Sequence, residues 1–134
     1  MDKPLVTIIS VFVFGVGTLF IGHRTQDQDQ RIEKDTTRFM QQKLNSSREI
    51  VEGLATENYD SISKAAQDLT LISHESDWNT IQTKPYLRMS SNFRDATTRL
   101  RDAANDQNLE GATLAYVEVT LSCVRCHQYL RDEV

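Results

Sequence analysis

The sequence predicts an all-α chain: an antiparallel up-down-up-down four-helix bundle preceded by a transmembrane helix. Three observations predict it. The chain opens on an uncharged apolar run, four later stretches space their apolar residues with a helical period, and no stretch alternates with the period of two that marks a half-buried strand. With 134 residues, of which 39% are hydrophobic, there is room for one modest domain and a small appendage. The organisation expected is a signal anchor over residues 1–23, a polar tether over 24–34 and the bundle over 35–134.

The anchor rests on Leu5 to Gly22, LVTIISVFVFGVGTLFIG, eighteen residues without a charge. At about 1.5 Å per helical residue this is just enough to cross a hydrocarbon core. A cleavable signal of the same length would be followed by a small-x-small site, whereas the exit here is Phe20-Ile21-Gly22-His23-Arg24, so the segment is expected to stay. Charge orients it only weakly, because Asp2 offsets Lys3 while Arg24, Arg31 and Lys34 lie on the other flank. His23 to Lys34, HRTQDQDQRIEK, is poor in apolar residues and reads as a tether or as an extension of the first bundle helix.

The first bundle helix is expected from about Asp35 to Leu54, with Met40, Leu44, Ser47, Val51 and Leu54 on one stripe flanked by Phe39 and Ile50, and with Gly53 and Thr56 at its exit. The second, about Asn58 to Ser73, stacks Tyr59, Ile62, Ala65, Ala66, Leu69 and Ile72. A longer connection from His74 to Lys84 contains Trp78 and Ile81. Pro85 then suits the first position of a third helix, with Lys84 held out of the helical region by the proline. That helix carries Tyr86, Met89, Phe93, Ala96, Leu100 and Ala104 and runs out in Asn105-Asp106-Gln107-Asn108. Asn108 is a suitable N-cap for a fourth helix to about Arg131, which holds Ala112, Ala115, Tyr116, Val119, Cys123, Cys126 and Leu130. Short or moderate loops favour antiparallel neighbours, and bundle cores commonly hold cofactors.

The chemistry concentrates near the end of the fourth helix. Cys123-Val124-Arg125-Cys126-His127 is a CxxCH pentapeptide, and it contains both cysteines of the chain. This is the spacing of a c-type haem attachment site. Two vinyl groups on one porphyrin edge must each meet a thiol, helical positions i and i+3 share a face, and the adjoining imidazole can serve as proximal iron ligand. Three other readings of the same residues stand beside it. A thioredoxin-like pair expects a βαβ context, a structural zinc site needs more ligands than accompany it here, and a plain disulfide does not require the histidine.

Outside the anchor the chain is mildly acidic, with a formal charge of −4 for the whole. No basic stripe suggests nucleic acid. A negative surface is compatible with a basic redox partner, although so small a charge is also ordinary solubility.

From Asp35 to Asp132 the chain resembles the cytochrome c′ family, the class II cytochromes c. The residues that carry the likeness are the Glu52-Gly53 exit of the first helix, the Tyr59-Asp60 start of the second, its Leu71-Ile72-Ser73…Trp78 end, the Asn108-Leu109-Glu110 turn, and finally Cys123-x-x-Cys126-His127-x-x-x-Arg131. The resemblance implies one haem c held through Cys123 and Cys126, with His127 as proximal ligand. It places Arg131 near the proximal face and Trp78 beside the haem, while a solvated C-terminal arginine and ordinary core filling explain the same two residues. It also implies that a first-helix residue covers the distal face. Ungapped alignment from Gly53 puts Thr37 near that position and Met40 one turn on, with Phe39 and Leu44 close by. Met40 reads either as a distal thioether ligand or as flexible apolar filling. His74 is a remoter ligand candidate, and Met89 reads as packing.

The expected function is that of a membrane-tethered periplasmic c-type cytochrome transferring single electrons, in a bacterial inner membrane with the C-terminal domain in the periplasm. Its partner would be another periplasmic or membrane redox protein, and no enzymatic activity or catalytic residue is expected. The alternative is a five-coordinate haem protein that binds small gases such as nitric oxide or carbon monoxide. A thiol redox or metal-binding module is a third reading. Dimerisation through the first two helices is a further implication of the resemblance.

Overall fold

A computed structural model describes the backbone of residues 6–77 and 83–133 and the side chains of residues 28, 30–75 and 83–133. The described residues form four α-helices and no strand: α1 (Val6–Thr56), α2 (Tyr59–Asp77), α3 (Lys84–Asn105) and α4 (Leu109–Glu133). The chain divides into two compact units, Met1–Asp35 and Thr36–Val134. Among the described residues no helix is long and apolar enough to cross a membrane, and the expected anchor at Leu5–Gly22 lies outside the described side chains. Residues 24–34, read as a tether or a helical extension, are helical.

In the second unit the same turn closes two helix pairs. α1 ends with Glu57 in the left-handed region at φ 54°, and the Asn58 amide donates to the Gly53 carbonyl at 2.9 Å. α3 ends with Gln107 at φ 54°, the Asn108 amide donating to the Ala103 carbonyl at 2.9 Å and the Gln107 amide to Ala104 at 3.0 Å. These bonds satisfy carbonyls that the last helical turn leaves without partners. In each turn the asparagine then caps the next helix: Asn58 Oδ1 accepts from the Ser61 amide at 3.1 Å, and Asn108 Oδ1 from the Gly111 amide at 2.9 Å.

Between α2 and α3 the bonds run in opposite order along the two helices, Ser63 to Asn105 at 2.7 Å, Thr70 with Thr97 at 2.7 Å and Ser73 with Ser90 at 3.4 Å. α3 and α4 are joined by the Arg99–Glu118 ion pair at 2.6 Å and by Thr83 with Tyr129 at 3.0 Å, and α1 and α4 by Ser47 with Tyr116 at 2.7 Å. The buried core lies between all four helices. Ile50, Ile62, Leu69, Phe93, Leu100 and Val119 fill it, and alanines at 65, 66, 96, 104, 112 and 115 let the helices approach closely.

Three sequence expectations are corrected here. The buried row of α1 is Phe39, Ser46, Ile50 and Gly53, one position away from the expected stripe, on which Leu44 and Val51 are 53% and 50% exposed. Two rows of α1 have helical spacing, and the true inner one contains Lys43 and a serine, so hydrophobicity alone selected its neighbour. α2 continues past Ser73 to Asp77, because Ser73 is buried and hydrogen-bonded to Ser90 and does not terminate the helix. α3 begins at Lys84, with Pro85 following it in the first turn. Thr83 takes the extended conformation at φ −80°, ψ 148°, and its side chain accepts from the Tyr86 amide. Proline is tolerated there because its missing N–H has no helical partner in any case.

Candidate functional site

The CxxCH pentapeptide lies within α4, a helix unbroken from Leu109 to Glu133. Its buried row is Ala112, Ala115 and Val119, and helical spacing continues that row into Cys123 and Cys126. Neither cysteine is in a disulfide; Cys126 is half-buried, whereas Cys123 and His127 are exposed. Although Cys123 as a residue meets solvent, the crowding of protein around its thiol lifts that thiol above its ordinary pKa. The positive charge of Lys43 pulls against this rise, the neighbouring Cys126 adds to it, and a backbone hydrogen bond opposes it.

Helices α1 and α3 bring further groups to the same end of the bundle. Phe39 is buried at 3% exposure, with the Arg38 guanidinium over its ring at 4.9 Å. Lys43, one turn further on, is half-buried and places Nζ over the Phe93 ring of α3, 5.4 Å from the centroid. Tyr86 is buried near the start of α3, and the Tyr129 hydroxyl, two residues beyond His127, meets Thr83. Deeper between α2 and α3, Arg94 donates to Ser90 at 3.0 Å and to Ser73 at 3.5 Å.

The residues named from the sequence are therefore only partly brought together. Cys123, Cys126 and His127 share little more than one turn, and Phe39 is on the inner row of α1. Met40 is half-buried beside that row, while Thr37 is exposed. Leu44 is turned outward and, with Ser47, Val51 and Tyr116, lines a shallow cavity of about 360 Å³ between α1 and α4, away from the pentapeptide. Arg131 is exposed in the last turn of α4, where a cation favours the helix dipole. His74 is exposed and Met89 half-buried, and Trp78 lies outside the described residues.

No protein family, curated protein or solved structure matches this chain. Among the described residues no three of histidine, cysteine, aspartate and glutamate converge as a metal cluster. A haem asks less of the protein, since the porphyrin itself fills four iron positions and the chain needs to supply only one or two. Lys43 and Tyr129 were missed in the sequence. Lys43 had a signal, for it stands at i+4 from Phe39, i−3 from Ser46 and i−7 from Ile50.

Proposed function

We propose that this chain is a c-type cytochrome of the cytochrome c′ kind: an antiparallel up-down-up-down bundle that carries one covalent haem and passes single electrons. Cys123 and Cys126 form the two thioethers and His127 binds the iron. The apolar run Leu5–Gly22 anchors the chain in a bacterial inner membrane, with the bundle in the periplasm. A carrier tethered in this way meets membrane or periplasmic redox partners at high effective concentration.

One observation carries this reading. Two cysteines outside any disulfide stand one helical turn apart on an unbroken helix, at the point where its inner row passes from packed Val119 to half-buried Cys126, and the next residue is His127. The donor set fits a haem held at that end of the bundle. Phe39, Tyr86 and Phe93 give it apolar surroundings. When bound, the haem supplies the one-electron chemistry of iron; the chain supplies attachment, orientation and the surrounding field.

A second reading, a five-coordinate haem that binds nitric oxide or carbon monoxide, is favoured by a specific observation. The inner row of α1 presents Phe39 and Lys43, and Met40 lies beside it. Met40, the methionine expected to reach the iron, is only half-buried and stands off the buried row, which supports a haem held by His127 alone on the protein's side.

The test is to express the full chain in a host with c-type haem maturation, purify it in detergent and record denatured and native spectra. Covalent haem that survives denaturation and disappears in Cys123→Ala/Cys126→Ala is expected. Full-length chain with no covalent haem refutes the assignment. In native protein, sharp split reduced bands indicate six-coordinate low-spin iron and electron transfer, and a broad unsplit band indicates the open-site reading. His127→Ala removes stable holoprotein in either case.

A further inference from the structure

Lys43 contradicts the row on which it stands. Phe39, Ser46 and Ile50 of that row are buried, Lys43 itself is half-buried, and its Nζ crosses from α1 to the face of Phe93 on α3 at 5.4 Å from the ring centroid. It is also near enough to Cys123 of α4 for its charge to act on that sulfur. A cation here gives up part of its hydration, and leucine or methionine would pack the position without that cost. Places where one residue breaks an otherwise consistent local pattern concentrate at functional sites.

We propose that Lys43 is the charge that sets the reduction potential of the group held by Cys123, Cys126 and His127, and that it raises that potential. The inference rests on the haem reading above. In the couple Fe³⁺ + e⁻ → Fe²⁺, with the electron delivered by a redox partner or an electrode mediator, the oxidised site carries one more positive charge. A fixed ammonium in the low-dielectric interior opposes the more positive state. Lys43 acts through space as a positioning charge and takes no part in bond making.

The experiment is a mediated potentiometric titration of the full-length haem-loaded chain, as wild type, Lys43→Gln and Lys43→Arg. Lys43→Gln is expected to keep covalent haem and the same reduced spectrum, and to lower the reduced-to-oxidised ratio at fixed ambient potential about tenfold, which is 59 mV for a one-electron couple. Lys43→Arg is expected to stay near wild type, because the charge remains. An unchanged potential in Lys43→Gln overturns the proposal. So does an equal fall in Lys43→Arg, which would assign the effect to packing, and so does an altered axial-ligand spectrum in Lys43→Gln, which would make Lys43 an iron ligand. If Lys43→Gln gives no folded holoprotein, Lys43→Met keeps the unbranched stem and is read by the same outcomes; failure of both to fold overturns the proposal in favour of a structural role. A wild-type chain without covalent haem refutes the haem reading itself and is recognised before any titration.

Discussion

Gly53→Ala is expected to destabilise the bundle although it places a better helix former in α1. An added Cβ at Gly53 would stand 2.7 Å from Ile62 Cγ1, 3.2 Å from the Asn58 carbonyl oxygen and 3.4 Å from the Ile62 amide nitrogen. None of these atoms yields easily. Cγ1 lies in the middle of a stiff β-branched side chain that is itself fully buried, and the other two are backbone atoms of the turn that caps α1 and starts α2. Overpacking of this kind costs about 1–3 kcal/mol, against a helix-propensity gain of about 1 kcal/mol. The tightness of the site puts the overpacking in the upper part of its range, so the net loss is about 1–2 kcal/mol. For a domain of about a hundred residues that lowers the melting midpoint by roughly 4–16 °C. The assay is thermal unfolding by far-UV circular dichroism at matched haem loading, repeated with Ile62→Ala. Because Ile62→Ala removes the atom that collides, its own cost of about 2–5 kcal/mol should shrink when Gly53→Ala is present. An unchanged or raised midpoint in Gly53→Ala, or strict additivity in the double variant, refutes the reasoning that this contact seats α1 on α2.

Asn108→Ala removes the side chain that accepts from the Gly111 amide and should cost about 1 kcal/mol in urea unfolding, whereas a surface change without a cap to lose stays within about 0.5 kcal/mol. Gln107→Gly relieves a left-handed residue at φ 54° and should raise stability by up to about 1 kcal/mol in the same assay. In haem-free Cys126→Ser chain, the pH at which iodoacetamide reacts half-maximally with Cys123 should lie above that of an exposed model thiol, and Lys43→Gln should move it higher still by removing the charge that opposes the rise. A downward movement in Lys43→Gln would show that Lys43 does not act on Cys123.

α2, α3 and α4 were legible because their inner rows are mostly apolar, with Ser73 and Thr97 as buried polar members of the α2 and α3 rows. Ile62, Ala65, Ala66 and Leu69, then Phe93, Ala96, Leu100 and Ala104, then Ala112, Ala115 and Val119 are apolar at helical spacing, and all are buried. α1 was misread by one position for the opposite reason. Its inner row mixes Phe39 and Ile50 with Lys43 and Ser46, while the neighbouring row leaves Met40 half-buried and offers Leu44 and Val51 to water. Periodicity reports that a helix has an apolar side but does not choose between two rows about a quarter of a turn apart when the correct one carries a charge. Of the candidate site, the pentapeptide was legible from spacing alone, since its geometry is contained in one helical turn. The α1 side was not, because which residue faces α4 depends on the roll of α1, and roll is set by tertiary contacts that no local pattern encodes.

That roll bears directly on the two haem readings. Three contacts fix it independently: Gly53 against Ile62, the Ser47–Tyr116 hydrogen bond at 2.7 Å, and Lys43 over Phe93. Met40 and Lys43 are three residues apart, so turning Met40 into the position Lys43 now holds means rolling α1 by about 60°. Such a roll would move Ser47 away from Tyr116 and draw Phe39 and Ile50 from the core, losing about 1 kcal/mol for the bond and more for each buried side chain. Ligation of the iron by Met40 must therefore outweigh several contacts at once, whereas an open distal position leaves them all in place. Tyr116→Phe separates the cases, because it deletes the hydrogen bond that reports the roll. If Met40 binds only after α1 turns, the substitution should destabilise the haem-free chain by about 1 kcal/mol and leave the holoprotein unaffected. An equal loss in both forms would mean that α1 keeps its roll when the haem is attached, and would exclude a Met40 ligation that depends on turning α1.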